Sequence, residues 1–235
     1  MVSVQYRLGS FGFLFLDDER APGNVGLLDQ QKALEWVKSN IIAFGGDPGK
    51  ITLFGQDAGG VMSLLSLTST DVNRVIMQSA GFQHPWSYVE PREAFRRTLN
   101  LASLVGCPTS GSSRTDVIEC LLTKSADEII NKELGVVAHP GLNYQPFVPT
   151  SDGRVLKMEP SKWLSRVAER LTNAQILIGT NENEGSKALM YFLPQHYPNR
   201  EVEMPQLTSQ DFDEAVNKMF SDFPSRVSAK QRKLL

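Results

Sequence analysis

"ITLFGQDAGG", residues 51–60, decides how the chain is to be read. Ile51 to Phe54 has the branched and aromatic content of a short buried strand, and the glycines after it admit a turn too sharp for most residues. A strand that turns at once into a helix is a unit of a parallel sheet with helical crossovers. Outward from this stretch the pattern repeats. Strands are predicted at Ser3 to Arg7, Ile51 to Phe54, Arg74 to Gln78 and Gln175 to Gly179. Between them, Leu27, Leu34, Val37 and Ile41 recur at spacings of seven, three and four, which lines one face of a helix. "AFGGDPGK" (43–50) closes that helix with glycines and a proline. Further helices are predicted at Pro91 to Val105, Asp116 to Leu122, Ser209 to Phe220 and the C-terminal turn. The expected architecture is α/β, a mostly parallel sheet flanked by helices.

Nothing in the pattern marks a second domain. The chain of 235 residues carries no internal repeat or low-complexity tract, and "GCPTSGSSRTD" (106–116) is its one long polar loop. A single domain over residues 1–235 is therefore expected. The hydrophobic share of 41% and charged share of 21% suit a packed core. A net charge of −2 with scattered Lys and Arg argues against nucleic acid or a membrane surface as the partner, since both need concentrated positive charge. No apolar run reaches the roughly 20 residues that span a bilayer. "MVSVQYRLGSFGFLFL" (1–16) lacks a basic leader and a small-residue cleavage site, and reads as a strand without what should precede it. Met1 is accordingly expected to begin a fragment.

Cys107 and Cys120 flank the polar loop. They read either as two reduced core thiols or as a disulfide, which over so short a loop contributes about 3 kcal/mol. No metal site is expected, because no CxxC pair or neighbouring histidine accompanies them. His84, His139 and His196 lie far apart in loop-like contexts and read as surface or packing residues. No cofactor is implied.

The turn at 55–60 has the form of a nucleophile elbow, in which a strained residue is presented between glycines because any Cβ beside it would clash. Gly55, Gly59 and Gly60 supply that room. Ala58, the residue after the nucleophile position, would offer its backbone N–H to an oxyanion. The nucleophile position itself holds Asp57, where this arrangement usually carries serine.

"QYRLGSFGF", "APGNVGLLDQ", "WVKSNIIAFGGDPGK" and "ITLFGQDAG" occur in this order. They are followed by "VIMQSAG", "PWSYV", "LVGCP" with "IECL", "FVPTSDG" and "GTNENEGSKALMYFLP". This succession resembles the type-B carboxylesterase and cholinesterase family over roughly residues 2–194. The resemblance implies an α/β-hydrolase fold, incomplete at both ends, an extracellular or cell-surface setting, and a disulfide between Cys107 and Cys120. It maps the triad acid onto Glu184, whose task would be to orient a histidine, and an acyl-pocket wall onto Trp86. Each also has a plain structural reading: Glu184 as a solvated helix-start carboxylate, Trp86 as packing.

Three departures from the family pattern bear on catalysis. Asp57 replaces the serine, the glycine-rich oxyanion loop would lie upstream of Met1, and the triad histidine would lie beyond Leu235. A carboxylate attacking an acyl carbon gives a mixed anhydride; its productive chemistry is on saturated carbon, forming an alkyl ester. Gly55-Gln56-Asp57-Ala58-Gly59-Gly60 also fits the GxDxGG elbow of haloalkane dehalogenases and epoxide hydrolases, over six residues only. In the structural alternative, Asp57 is a helix N-cap that tolerates positive φ. The expectation is a cholinesterase-like module that lacks ester hydrolysis and binds an extracellular protein partner, as cholinesterase-like adhesion proteins do. The alternative is a hydrolase of altered chemistry, acting on an ester or other substrate with Asp57 as nucleophile.

Overall fold

The computed structural model describes residues 1–81, 86–136, 145–159, 162, 172–185, 193–196 and 207–219. Two compact units emerge, one from residues 1–138 and 145–179, the other from residues 139–144 and 180–235.

The first unit is built on a parallel sheet in the order β3-β4-β5. β3 spans Leu53–Gln56, β4 Arg74–Gln78 and β5 Gln175–Gly179. Leu53 lies beside Val75 and Val75 beside Ile176, while Phe54, Ile76 and Leu177 form the next row. The crossover between β3 and β4 is helix α3, Ala58–Ser69. Its Val61, Met62, Leu64 and Leu65 are buried with Val75 and Met77 of β4. The strands at 74–78 and 175–179 lie where the sequence places them. The first central strand begins at Leu53 rather than Ile51, and runs on through Gly55 and Gln56 into the turn.

Ser3 to Arg7 forms no strand, contrary to expectation. Arg7 is instead held by a side chain: its backbone N–H, Nε and Nη2 all donate to the Asp29 carboxylate, at 3.0, 2.8 and 2.6 Å. A short helix α1, Gly9–Phe13, follows, and then a hairpin of β1, Phe15–Asp18, and β2, Ala21–Pro22. No hydrophobic period announces strands this short. Helix α2, Val25–Asn40, buries Leu27 and Leu34 on the predicted face. A 3₁₀ turn over Ile41–Phe44 continues it, and Gly45 at φ 78° closes it. Helix α4, Pro91–Leu104, starts with Pro at its first position and ends one residue short of the sequence reading. Helix α5, Arg114–Leu122, begins two residues early because Ser113 and Asp116 form a capping box. The polar loop is shortened accordingly. Helix α6, Ala126–Glu133, was not anticipated; Ser125 and Glu128 cap it in the same way.

Cys107 and Cys120 are joined in a disulfide, which ties the loop after α4 to α5. Around it Leu16, Ala102, Val117, Ile118 and Leu121 form a second small core. Two buried polar side chains tie distant segments together. Asn24, wholly buried at φ 49°, donates to the Thr150 carbonyl and accepts from the Thr150 N–H. Arg97, 1% exposed, donates to Glu93 and to the carbonyls of Gln145 and Pro146.

The second unit contains a turn over residues 182–185, a 3₁₀ turn at Pro194–His196, and helix α7, Ser209–Met219. Thr208 and Asp211 cap α7, and His196 Nε2 lies 3.0 Å from Asp211 Oδ1. Phe220 and the C-terminal turn fall outside the described residues. No described helix is long and apolar enough to cross a membrane.

Candidate functional site

The hinge between β3 and α3 is built as an elbow. Asp57 sits in it at φ 52° and ψ −120°. Two backbone hydrogen bonds fix this conformation: the Asp57 N–H donates to the Gln78 carbonyl at 2.9 Å, and the Asp57 carbonyl accepts from the Val61 N–H at 3.1 Å. The glycines divide into two kinds. A Cβ on Gly55 would overlap the carbonyl group of Gly59, and a Cβ on Gly60 would lie 2.5 Å from the Ala80 methyl. At Gly59 the nearest neighbour, Tyr6 Oη, would be at 3.9 Å, an ordinary contact. Gly55 and Gly60 therefore hold the turn, and Gly59 does not.

Asp57 and Ala58 are both exposed. The Asp57 side chain makes no capping hydrogen bond to α3, and its ψ lies outside the extended region an N-cap adopts. Asp57 thus stands at the N-cap position of α3 with the positive φ that the structural alternative expects, but without the side-chain capping bond. The Ala58 N–H, in the first turn of α3, has no intrahelical acceptor and is the donor an oxyanion at the elbow would meet.

Tyr6 is the residue the sequence reading passed over. Its ring is partly buried against the main core, and its hydroxyl is the neighbour of the elbow just described. The phenol is pushed above its ordinary pKa, first by burial and then by the negative charge of Asp57. The only signal for it was its place in "QYRLGSFGF", directly before the arginine that pairs with Asp29.

Trp86 packs, partly buried, against the same core as Tyr6. Glu184 belongs to the second unit, where it is exposed in the 182–185 turn and its Oε1 accepts the Asn181 N–H at 2.7 Å. That contact is a local turn cap. His196 is engaged with Asp211, and His84 and His139 lie outside the described residues. Among the described residues of the first unit there is no histidine. A surface cleft of about 910 Å³, lined by Leu34, Lys38, Asp71 and Leu156 among others, does not include Asp57. No group of three or more His, Cys, Asp or Glu side chains that could hold a metal occurs among the described residues.

Comparison with known proteins gives these motifs their context. The carboxylesterase family model matches residues 1–234. Acetylcholinesterase of Electrophorus electricus is 41% identical over 221 residues, covering 92% of this chain and 34% of the eel protein. Acetylcholinesterase of Myxine glutinosa is 42% identical over 198 residues, covering 83% of this chain and 57% of that protein. Cholinesterase of Mus musculus is 38% identical over 225 residues, covering 94% and 36% respectively. The chain thus spans about a third of the length of the eel and mouse relatives.

Proposed function

The chain belongs to the carboxylesterase family, with its α/β-hydrolase fold, and we propose that it acts there as a cholinesterase-like binding module without ester hydrolase activity. The observation that carries this reading is Asp57: the turn is formed, with a positive φ and two backbone hydrogen bonds, while its nucleophile position holds a carboxylate. Attack by that carboxylate on an acyl carbon exchanges an ester for a more reactive anhydride, so the step runs uphill.

A binding role draws support from the sheet. Phe54 and Leu177 are 57% and 62% exposed and flank Ile76 in one row, so the open sheet face is apolar. Contiguous exposed apolar surface of this kind marks contact sites. The disulfide fits an oxidising, extracellular setting, and an extracellular protein is the partner class we infer.

The test compares the parent with an Asp57→Ser variant on a short chromogenic acyl ester. The parent is expected to be inert. Turnover by the parent would sink the reading, whereas turnover by the serine variant alone would show that Asp57 is what silences the site. A second reading keeps a catalytic role, with Asp57 attacking saturated carbon; its exposure and its freedom from a capping bond favour it.

A further inference from the structure

The surface cleft of about 910 Å³ lies wholly on the first unit and shares no residue with the elbow or the sheet. Its size is that of a small-molecule site. Three segments enclose it: α2, the C-terminal end of α3, and residues 154–158. Leu28, Gln31, Glu35 and Lys38 line it at spacings of three, four and three, which is one face of α2. The floor is apolar. Leu34 and Leu156 are buried there, and Val155 and Met158 pack, partly buried, against the main core. Leu28 completes the apolar lining and remains 40% exposed.

The charges around this floor do not cancel in place. Asp71 accepts from Lys38 Nζ, and Glu35 accepts from Lys32 Nζ at 2.7 Å, so both acids of the lining already hold a cation. On the 154–158 wall the position is different. Arg154 Nη2 lies 3.7 Å from Glu19 Oε1 with both side chains largely exposed, an arrangement that contributes little. Lys157 makes no ion pair among the described residues. These two cations flank Leu156, so positive charge stands beside the apolar floor without a firm partner.

A neutral or cationic amphiphile would bury its tail in such a cleft and leave both cations unanswered. An anionic head answers them with charge-assisted hydrogen bonds. We propose that the cleft binds an amphipathic anion of the alkyl carboxylate type, its tail over Leu34 and Leu156 and its head beside Arg154 and Lys157. Tail burial supplies most of the affinity, because every methylene removed from water adds to it, whereas each exposed ion pair adds little. Tail length therefore sets the strength, and the two cations set the preference for a negative head.

The cleft residues take no part in the elbow, so the outcome of the ester assay leaves this inference standing. Isothermal titration of the chain with decanoate, below the concentration at which it forms micelles, tests it. One saturable site is expected, with hexanoate weaker by at least about tenfold and decylammonium weaker by at least about fivefold. Leu28→Glu sets a negative charge beside the floor, near the start of α2 where a carboxylate suits the helix. It should weaken decanoate about tenfold. Lys157→Gln should weaken it about threefold and narrow the preference over decylammonium. Leu177→Lys, in the exposed row of the sheet, should leave decanoate binding unchanged. All three positions are exposed, and retention of the parent's circular dichroism checks the fold. No saturable binding, equal binding of decanoate and decylammonium, or binding lost in Leu177→Lys and kept in Leu28→Glu would overturn the proposal.

Discussion

At Asp57 the backbone is held at φ 52° and ψ −120°, a conformation whose strain costs about 1–3 kcal/mol for a residue with a Cβ. Neighbouring glycines make that strain supportable, and they do so unequally. Gly55→Ala would drive a methyl into the Gly59 carbonyl group, where backbone must move; a loss of about 3 kcal/mol is expected. Gly59→Ala meets only an ordinary contact with Tyr6 Oη and adds a better helix former to α3. It should be neutral or stabilising by up to about 1 kcal/mol. Urea denaturation of both variants checks the contrast, and equal losses would contradict the division of roles. This division was not legible in the sequence, where three glycines look alike. Which Cβ finds space depends on Ala80 and on a carbonyl across the turn, both set by tertiary packing. The elbow itself was legible, because it is written in contiguous residues. Tyr6 was not, since nothing local ties it to a turn some fifty positions away.

The elements report a similar distinction between local and distant causes. β4, β5 and α4 were read nearly to the residue, for their boundaries follow from apolar runs, proline and glycine. The supposed strand at Ser3 to Arg7 failed because Arg7 finds its partner in Asp29 of α2, a pairing across distance that alternation of side chains cannot reveal. Charge pairing also governs α4. The Arg96 guanidinium, aided by Arg97 and opposed by partial burial, holds the Glu93 carboxyl at about 2, well below its ordinary 4.5. A carboxyl whose pKa is depressed in the folded state stabilises the fold above its unfolded value. That contribution fades as the pH falls from about 4.5 through about 2. Glu93→Gln also leaves the buried Arg97 without its carboxylate. A loss of about 2–3 kcal/mol at neutral pH is therefore expected, with the gap between parent and variant closing in acid. Thermal melts of the two proteins from pH 7 down to pH 2 would show it. A gap that does not narrow would assign the effect to packing instead.

For the whole chain, the sheet of the first unit sets the behaviour in solution. β5 forms one edge of the described sheet and is exposed along its length, with Ile176, Leu177 and Ile178 at 40%, 62% and 58%. Its sequence, "QILIG", carries no charge and no proline, the two devices by which edge strands commonly resist pairing with another chain. The open row of Phe54, Ile76 and Leu177 adds apolar area to the same sheet. The sequence predicts β4 and β5 correctly yet says little of this exposure, because alternation shows which residues share a face and not what lies over it. Such a sheet should associate as concentration rises. Sedimentation velocity is expected to show larger species growing with protein concentration. Leu177→Lys, which places a charge in the exposed row without removing a buried side chain, should shift the chain toward monomer. A parent that stays monomeric at high concentration would mean that this face is covered within the molecule, and would remove the sheet as support for a binding role.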